Sequence, residues 1–403
     1  MGNSKTDKNI IKSLNPLKFF SIVKERSQRF KNAPEIPLVE EYSINALAKK
    51  LHPSVQNVKV ADIQELADGC KRFTLIPDYQ NGTSELAYFS SGQYVTVFLN
   101  IDGLKLTRAY SISSSPDQSL LKNKENPGFY QITVKPAKDG LVSAYILENW
   151  KVGLPVEISA PEGTFSYVYL RDAPTVIGIA GGSGITPFMS MIREVLESGE
   201  EREIFLLYGN RTEKFSSYHA ELTSFAENYP NFHYQLVISN DESYKGKKGF
   251  IDAKCIQDFV KKTDDATFYM CGPQVMSDFC TKALEELHVK PRNIRREMFG
   301  TRRDIQNEPL WPENLTGKES FKISVGGKTF DGISGESLLT SLERAGIRVN
   351  VCCRSGECSL CRVKLESGKV FVPRGALLRH ADGKFGYIHS CKAYPITDIE
   401  LSF

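Results

Sequence analysis

Hydrophobic and polar residues alternate in short runs between residues 55 and 167, and Gly, Pro and Asp separate these runs. Alternation with a period of two is typical of β-strands that bury one face. One helical stretch, residues 142–150, precedes the last run. The repeated short strands predict a closed antiparallel β-barrel, with strands at residues 93–98, 106–112, 129–134 and 156–159.

The pattern changes after residue 174, where apolar strands begin to alternate with helices. Such alternation predicts a parallel sheet of the α/β class. The strands are predicted at residues 175–180, 204–208, 236–239 and 267–270, and the helices at residues 187–196 and 274–287.

The two ends of the chain follow other patterns. The N-terminal residues are rich in Lys, Asn and Ser, with one helical stretch at residues 43–51, and they predict an extension. Pro309 and Pro312 lie in an irregular polar stretch that predicts a linker. Beyond it, a hairpin at residues 321–330 and a helix at residues 337–345 lead into a group of cysteines. The predicted units are an extension (1–52), a barrel (53–170), an α/β domain (171–303), a linker (304–318) and a C-terminal domain (319–403).

Composition and charge narrow the function classes. The chain has 403 residues, of which 41% are apolar and 25% charged, as in ordinary globular proteins. Its 51 Lys and Arg against 48 Asp and Glu are too balanced to predict a nucleic-acid-binding protein. No apolar stretch approaches the roughly 20 residues of a membrane span, and the N-terminus lacks the apolar region of a secretion signal. We therefore expect no integral membrane segment and a cytoplasmic location.

Five of the nine cysteines lie near the C-terminus: Cys352, Cys353, Cys358, Cys361 and Cys391. Crowded cysteines in a chain of this size indicate metal chemistry in a reducing compartment. Cys353, Cys358 and Cys361 follow C-x4-C-x2-C, and with Cys391 they match the ligand spacing of plant-type [2Fe–2S] clusters. A tetrahedral zinc site is the alternative, although zinc sites usually show two similar short pairs. Cys352 is out of register and is predicted not to be a ligand.

The last 85 residues resemble a plant-type ferredoxin domain, including the ending from Cys391 to Pro395. This resemblance implies an α+β, β-grasp fold that carries one electron at a time. A cluster of this type has a potential near roughly −400 mV. The resemblance therefore implies a strong reductant upstream of the cluster.

Arg108, Ala109, Tyr110 and Ser111 lie on a predicted barrel strand. Strand alternation puts Arg108 and Tyr110 on one face, where a cation can meet a phosphate and a phenol ring can stack on an isoalloxazine. The four residues resemble the R-x-Y-[ST] motif of the ferredoxin-NADP reductase superfamily. That resemblance implies a hydrogen bond from Ser111 near the flavin N5. An ordinary half-buried strand is the alternative.

Gly140 and Ser143 lie at a predicted helix start, shortly after Val134. A helix N-terminus can hold a pyrophosphate through its free N–H groups and the positive end of its dipole. In the same superfamily a G-x-x-S segment holds the pyrophosphate of FAD, so the resemblance implies FAD rather than FMN. Val134, Gly140 and Ser143 are therefore candidate cofactor-binding residues. A plain N-cap at Ser143 is the alternative.

A glycine-rich loop joins the first strand of the α/β domain to a helix, and contains Gly181, Gly182, Gly184, Thr186 and Pro187. Thr186 suits the N-cap and Pro187 the first helical position. Glycines let the backbone approach a dinucleotide closely. A proline stands where the third glycine of G-x-G-x-x-G would be. The loop instead resembles the GG-x-G-x-[TS]-P loop of the same reductases.

Two further segments match that superfamily. Cys271, Gly272 and Pro273 match its C-G-P loop, which implies that Cys271 lies beside the nicotinamide C4; a small buried cysteine is the alternative. Glu297 and Phe299 occupy the place where related reductases bring an acidic residue and an aromatic ring towards the flavin. The candidate catalytic residues are Ser111, Cys271, Glu297 and Phe299.

Arg211 ends the second predicted parallel strand, where nucleotide folds read the adenosine ribose. An acidic residue there would favour NADH, whereas Arg can meet the 2′-phosphate of NADPH. We therefore expect a slight preference for NADPH. Lys245, Lys247 and Lys248 could assist, although a basic loop is more often solvated surface.

The resemblance covers residues 53–403 and predicts an NAD(P)H-dependent oxidoreductase. Hydride would pass from nicotinamide C4 to flavin N5, and electrons would leave singly through the cluster to a redox protein. Multicomponent oxygenase reductases share this domain order, as do reductases of hybrid-cluster proteins. The alternatives are a reductase of quinones or small acceptors, and a redox-sensing or carrier protein without hydride chemistry. The final acceptor and the oligomeric state stay open.

Overall fold

The structure is a computed structural model that describes residues 16–33, 42–123, 125–137, 140–261, 263–300, 304–351, 353–356, 358–374, 376 and 378–403. Cys352 lies outside the described residues. The chain divides into an N-terminal unit and a larger compact unit, residues 51–403. Among the described residues, no helix combines the length and apolar character needed to cross a membrane.

The N-terminal unit contains two helices, α1 (Pro16–Lys31) and α2 (Ser43–Leu51). Helix α2 confirms the predicted stretch at residues 43–51. Helix α1 was not predicted, because its apolar side chains are few. Val23 and Phe30 lie seven residues apart, two turns of a helix, and both are exposed.

The first domain is an antiparallel sheet of six strands, in the order β4-β3-β6-β1-β2-β5. A bridge between Ile112 and Ile132 brings the two outer strands together, which confirms the predicted barrel. Helix α3 (Leu141–Asn149) lies between β5 and β6, as expected. The strands are β1 (Gln56–Glu65), β2 (Lys71–Pro77), β3 (Tyr94–Ile101), β4 (Leu104–Ser111), β5 (Tyr130–Val134) and β6 (Pro155–Ile158).

The barrel core consists of the inward side chains of these strands. In β2, Phe73 and Leu75 are fully buried and alternate with partly exposed residues. Trp150, just after α3, packs edge-on against Phe73 with ring centroids 5.2 Å apart. The period-two pattern of the sequence therefore reflects one buried face per strand.

The second domain contains a six-stranded sheet in the order β10-β9-β8-β7-β11-β12, and its paired strands run parallel. The central strand β7 is buried along nearly its whole length, as parallel strands covered on both faces are. The elements are β7 (Thr175–Gly181), α4 (Thr186–Ser198), β8 (Glu203–Asn210), α5 (His219–Asn228), β9 (Phe232–Ile238), β10 (Lys247–Lys248), α6 (Ala253–Phe259), β11 (Ala266–Cys271), α7 (Gln274–Glu286) and β12 (Ile294–Glu297).

The C-terminal domain has a mixed five-stranded sheet in the order β14-β13-β19-β15-β17, and a two-stranded sheet of β16 and β18. The buried leucines of α8 pack in its core, which agrees with the predicted α+β class. The elements are β13 (Ser320–Val325), β14 (Lys328–Ile333), α8 (Leu338–Arg344), β15 (Arg362–Ser367), β16 (Val370–Phe371), α9 (His380–Lys384), β17 (Tyr387–His389), β18 (Tyr394–Pro395) and β19 (Ile399–Ser402).

The segment predicted as a linker is packed rather than loose. Ile305 is fully buried, and Trp311 packs edge-on against Phe371 with ring centroids 5.1 Å apart. The Trp311 indole N–H donates to the Leu315 carbonyl at 2.8 Å. Polar composition and two prolines concealed this small core, because half of its buried side chains, Phe371 and Tyr394, come from a distant part of the sequence.

Candidate functional site

The glycine-rich loop connects β7 to α4, as predicted. The predicted N-cap of this helix, Thr186, does not cap it. Residues 182–185 form one turn of 3-10 helix that runs directly into α4. Thr186 already has helical dihedral angles, and its hydroxyl donates to the Ser183 carbonyl at 2.9 Å. The expectation that Thr186 is an N-cap is therefore wrong, because the helical turn starts four residues earlier. Pro187 lies in the first turn of α4, as expected.

The glycine-rich loop and the C-G-P loop touch each other. A Cβ on Gly184 would lie 2.2 Å from the Cys271 carbonyl oxygen, and one on Gly272 would lie 3.2 Å from the Gly181 backbone. A Cβ on Gly181 would lie 3.1 Å from the Pro273 ring. These glycines allow two strand ends to meet at the carboxyl edge of the parallel sheet, where ligands bind in such folds.

A cavity of about 680 Å³ opens at this edge, large enough for part of a dinucleotide. Arg211 lines it, as expected for a residue near the adenosine ribose. Sequence reasoning missed its apolar wall, which includes Phe250 and Phe279 with ring centroids 5.8 Å apart. Phe250 is 66% exposed. No sequence signal separated it from an ordinary surface aromatic residue, because only the fold brings it beside the glycine loop.

The lysines proposed to assist Arg211 do not line this cavity. Lys247 pairs with Asp258, with Nζ and Oδ2 3.3 Å apart. The Lys248 ammonium donates to the Glu242 carbonyl. Neither lysine therefore supports the 2′-phosphate hypothesis in this structure.

Arg108 is a half-buried cation that forms no ion pair with a carboxylate among the described residues. Its Nη1 donates to the Thr107 carbonyl at 2.7 Å. Glu343 lies nearby, but it is held by both nitrogens of Arg354 at 2.7 and 2.8 Å. Burial and the neighbouring Arg354 lower the pKa of Arg108 to about 10. A phosphate would supply the missing counter-charge, so this site fits the phosphate of a flavin nucleotide.

The neighbouring motif residues lie at the β3–β4 pair. Burial raises the pKa of Tyr110 to about 12, so its phenol stays neutral and suits stacking. Ser111 is buried opposite Tyr94 in the antiparallel register. The Val134 side chain lies in the barrel core, so only its main chain could contact a cofactor.

Helix α3 begins at Leu141, with Gly140 as its N-cap residue. The Ser143 hydroxyl accepts from the Ala137 N–H at 3.3 Å and donates to the Gly140 carbonyl at 3.0 Å. The alternative that Ser143 is itself the N-cap is therefore wrong. The first-turn N–H groups of α3 are available to an anion such as a pyrophosphate.

A row of residues connects the nucleotide loops with the barrel. Cys271 ends β11 directly opposite Glu297 at the end of β12, and both are buried. Phe299 follows, and its ring packs edge-on against Tyr94 with centroids 5.6 Å apart. A Cβ on Gly163 would lie 2.9 Å from the Tyr94 ring and 3.7 Å from Glu297 Oε1. The structure thus pairs Cys271 with Glu297 and places Phe299 against Tyr94, which lies opposite the fourth catalytic candidate, Ser111.

The four candidate cluster ligands form two pairs. The Cys358 N–H donates to Cys353 Sγ at 3.4 Å, and the Cys361 and Cys391 sulfurs lie 3.2 Å apart. Among the described residues, no three His, Cys, Asp or Glu side chains surround one point that suits a single metal ion. In a diiron cluster each iron takes two thiolates, whereas a tetrahedral zinc ion needs all four thiolates around one point. The pairing of the cysteines therefore fits the diiron cluster better.

The cysteine loop packs directly on the flavin domain. Cys353 and Tyr94 are buried together, with Ala109 and Cys358 against them. Arg354 donates through Nη1 to the Thr107 carbonyl of β4 at 3.4 Å. One side of the cysteine loop therefore faces the flavin motif.

Three family models match the chain in the order of its domains. They are the oxidoreductase FAD-binding domain at residues 57–167, the oxidoreductase NAD-binding domain at residues 179–282 and the 2Fe-2S iron-sulfur cluster binding domain at residues 321–395. These matches confirm the expected cofactors: FAD, NAD(P)H and a [2Fe–2S] cluster.

The chain is similar to two oxygenase reductases over most of its length. The glycine betaine monooxygenase reductase subunit of Chromohalobacter salexigens is 27% identical over 79% of this chain and 88% of its own. The 3-ketosteroid-9-alpha-monooxygenase ferredoxin reductase component of Mycolicibacterium smegmatis is 26% identical over 87% of this chain and 97% of its own.

A solved structure, phthalate dioxygenase reductase, has the same fold, with a TM-score of 0.61 and 24% identity over 86% of this chain and 97% of that protein. The domain matches and the geometry of the site agree on an NAD(P)H-dependent oxidoreductase that passes electrons through FAD to a [2Fe–2S] cluster. The chain therefore belongs to the flavoprotein reductases that join an FAD-binding, an NAD-binding and a [2Fe–2S] domain in one polypeptide.

Proposed function

We propose that this chain is the reductase component that supplies single electrons to an oxygenase. FAD, when bound, takes a hydride from NAD(P)H and passes electrons one at a time to the cluster. Two relatives that match most of the chain are named as monooxygenase reductases, which supports an acceptor of this type. The domain boundaries at residues 52, 170, 303 and 318 are part of the same proposal.

The contact between the cysteine loop and the flavin domain is the observation that carries this proposal. Cys353 and Cys358 pack against Tyr94 and Ala109 within one chain. Ala109 belongs to the flavin motif itself. A cluster held by these cysteines would adjoin the flavin site with no second protein between them, so transfer is intramolecular.

Several residues would bind and orient the nicotinamide. The backbones of Gly181, Gly182 and Gly184 would cradle the pyrophosphate, because no side chain blocks their approach. Cys271 would lie beside the reacting carbon, and Phe299 would cover the site and exclude water. The remaining assignments of this proposal are Thr186, Pro187, Gly272 and Pro273 in the nucleotide site, and Glu297, with Phe299, towards the flavin.

A second group of residues would hold the flavin and the cluster. Arg108 would bind a phosphate and Tyr110 would stack on the ring, with Ser111 at the polar edge of the isoalloxazine. The first turn of α3 would hold the pyrophosphate. The other assignments are Ala109, Val134, Gly140 and Ser143 for FAD, and Cys353, Cys358, Cys361 and Cys391 for the cluster.

The choice of dinucleotide and the location of the protein belong to the same proposal. Arg211 lines the cavity and favours NADPH slightly, since a guanidinium can bind a 2′-phosphate. Equal kcat/KM values for NADPH and NADH would remove this preference. The described cysteines form no disulfide, and four of them would bind the cluster, which supports a reducing compartment and hence the cytoplasm.

Anaerobic reduction by NADPH tests the proposed function. We expect the flavin absorbance to bleach first and the electron paramagnetic resonance (EPR) signal of a reduced [2Fe–2S] cluster to follow. A protein in which NADPH changes neither signal, although both cofactors are bound, would instead be a carrier or sensor. Cluster reduction without transfer to an added oxygenase, but with rapid transfer to quinones, would favour the small-acceptor alternative.

A further inference from the structure

The cysteine loop has one side that no external protein can reach. Cys353 is 3% exposed and Arg354 is 7% exposed, and both face the flavin domain. An acceptor must therefore approach the cluster from elsewhere. Cys361 and Cys391 are 1% and 0% exposed, so the turn between Cys358 and Cys361 is the remaining candidate.

Leu360 marks the outer side at that turn. It lies between Cys358 and Cys361 and is 46% exposed, whereas both neighbouring cysteines are half-buried or buried. Ser359 before it has a φ of 60°, in the left-handed region, so the backbone turns sharply there. This turn leaves an apolar side chain in solvent beside a cluster ligand.

Arg362 follows Leu360 by two residues, and a second arginine, Arg379, lies near the same strand. Arg362 is bound to Asp382 at 2.8 Å and lies over the Tyr387 ring, 4.8 Å from its centroid. Arg362 lies opposite His389 in the β15–β17 register, and the charge of Arg379 also acts on His389. Arginines from two segments therefore lie close to the cluster loop.

Arg374 reaches the same region. Ala376, two residues further on, has its Cα 3.8 Å from the position of a Cβ on Gly356. Arg374 and Arg379 are exposed, and neither forms an ion pair or a side-chain hydrogen bond within the described part of the chain. Within the described residues, both charges are therefore left to solvent or to an external anion.

The charge of the domain is divided along the sequence. Residues 354–392, which contain the outer side, have eight Lys and Arg against three Asp and Glu. The other residues of 319–403 have four Lys and Arg against six Asp and Glu. The positive charge thus belongs to the cluster side rather than to the whole domain.

We propose that a basic face, defined as Leu360, Arg362, Arg374 and Arg379, is the surface on which an acidic protein acceptor docks to take electrons from the cluster. This inference rests on the proposed function, because it assumes that the cluster delivers electrons to a protein. Complementary charge would steer the acceptor, and Leu360 would supply an apolar contact at the centre.

Small redox ions test the sign of this face on the full holoprotein. The cluster is reduced photochemically, and its reoxidation by hexacyanoferrate(III) or hexaammineruthenium(III) is followed by visible circular dichroism in a stopped-flow instrument. Each ion accepts one electron, and no proton or bond is transferred. Between about 20 mM and about 500 mM salt, we expect the anion's rate to fall about tenfold and the cation's rate to rise.

Two charge-reversal variants identify the residues responsible. Arg374→Glu/Arg379→Glu should reverse the salt dependence of both probes. Lys318→Glu/Lys328→Glu changes the net charge equally near β13 and β14, at the opposite edge of the sheet from β17, and should behave as wild type. Equal behaviour of the two double variants would overturn the proposal.

A binding measurement gives an independent readout. Hexacyanochromate(III), which is paramagnetic and does not oxidise the cluster, should broaden the amide signals of α9 and not those of the hairpin at residues 325–328. Broadening of both regions alike would contradict the proposal. NADPH could fail to reduce the cluster while the photoreduced protein still shows the expected salt dependence with both redox ions. That result would contradict the proposed function and support the basic face.

Discussion

Arg108 illustrates how a single residue reports on a missing partner. A guanidinium that is buried beside a second guanidinium, with the nearby carboxylate already engaged by Arg354, is in an unfavourable position. A bound phosphate would provide the opposite charge and so remove this electrostatic cost. The unusual environment therefore points to a ligand more strongly than the four-residue motif does.

Replacing this arginine should weaken flavin binding. Arg108→Gln keeps a polar, though shorter, side chain and removes its charge, so we expect FAD affinity to fall about 10–100-fold, the value of one charge-assisted hydrogen bond. Quenching of flavin fluorescence on addition of apoprotein measures the dissociation constant. Arg344→Gln is the matched control, because Arg344 pairs with Glu336 on the exposed side of α8. Equal affinities in both variants would exclude Arg108 from the phosphate site.

Among the elements, the strand ends at the edge of the parallel sheet leave little room for an added side chain. Gly184→Ala places a methyl group 2.2 Å from the Cys271 carbonyl oxygen, so either the loop or β11 must move. We expect KM for NADPH to rise at least tenfold, because misplacement by about 1 Å can cost roughly a hundredfold in rate. Steady-state kinetics with a flavin-level dye measure this.

Gly383→Ala is the control for that experiment. Gly383 lies in α9, and an added Cβ there would meet only Leu378 at 3.4 Å. This variant should leave dye reduction unchanged. An unchanged KM in Gly184→Ala would mean that the loop contact does not shape the nucleotide site.

The junction between barrel and sheet depends on a buried carboxylate, Asp172. Burial alone would raise its pKa, but hydrogen bonds from Arg171, the Val168 N–H, Tyr269 and Arg295 lower the pKa to about 2. Because the folded pKa lies below the unfolded value near 3.9, this carboxylate stabilises the fold above about pH 4. That stabilisation is lost as the pH falls towards 2.

Asp172→Asn should therefore destabilise the protein in a pH-dependent way. Removing one partner of a buried charge network costs about 3–5 kcal/mol, so we expect a loss of this order in the free energy of unfolding at pH 7. Urea unfolding of both proteins at pH 7 and at pH 3 measures it. The difference should shrink at pH 3, and a difference that is constant with pH would contradict the role of the charge.

The elements that sequence patterns predicted best were the strands, because each buries one face or two and so has a clear period. The four barrel strands and the four parallel strands that were predicted lie within a few residues of those positions, whereas β1, β2, β10 and β12 had no predicted position. Helix α1 and the packed segment around Trp311 were missed, since a few apolar residues at wide spacing do not stand out. The predicted N-cap at Thr186 was wrong, whereas the segment from Gly140 to Ser143 was correctly predicted as a helix start.

At the scale of the whole molecule, the sequence could name the ligand types but not the contacts between domains. The packing of Tyr94 against Cys353 joins residues that are distant in sequence, and no local pattern signals it. The same holds for Phe250 in the nucleotide cavity and for the arginines around Leu360. These features follow from tertiary packing, which a single sequence does not display.

The central claim is that one chain carries electrons from the nicotinamide through the flavin to the cluster, in that order. Cys358→Ser tests it most directly, because it removes one cluster ligand at the flavin-facing side. Cys280→Ser is the control, since Cys280 is buried in the core of the NAD(P)-binding domain.

The measurement compares two activities with NADPH: reduction of a dye that accepts electrons from flavin, and reduction of an acceptor that takes electrons from the cluster. We expect Cys358→Ser to retain most of the dye reduction, within about twofold of Cys280→Ser, and to lose the cluster-dependent activity and the EPR signal of the reduced cluster. An equal loss of both activities, or full retention of cluster-dependent transfer, would contradict this order of electron transfer.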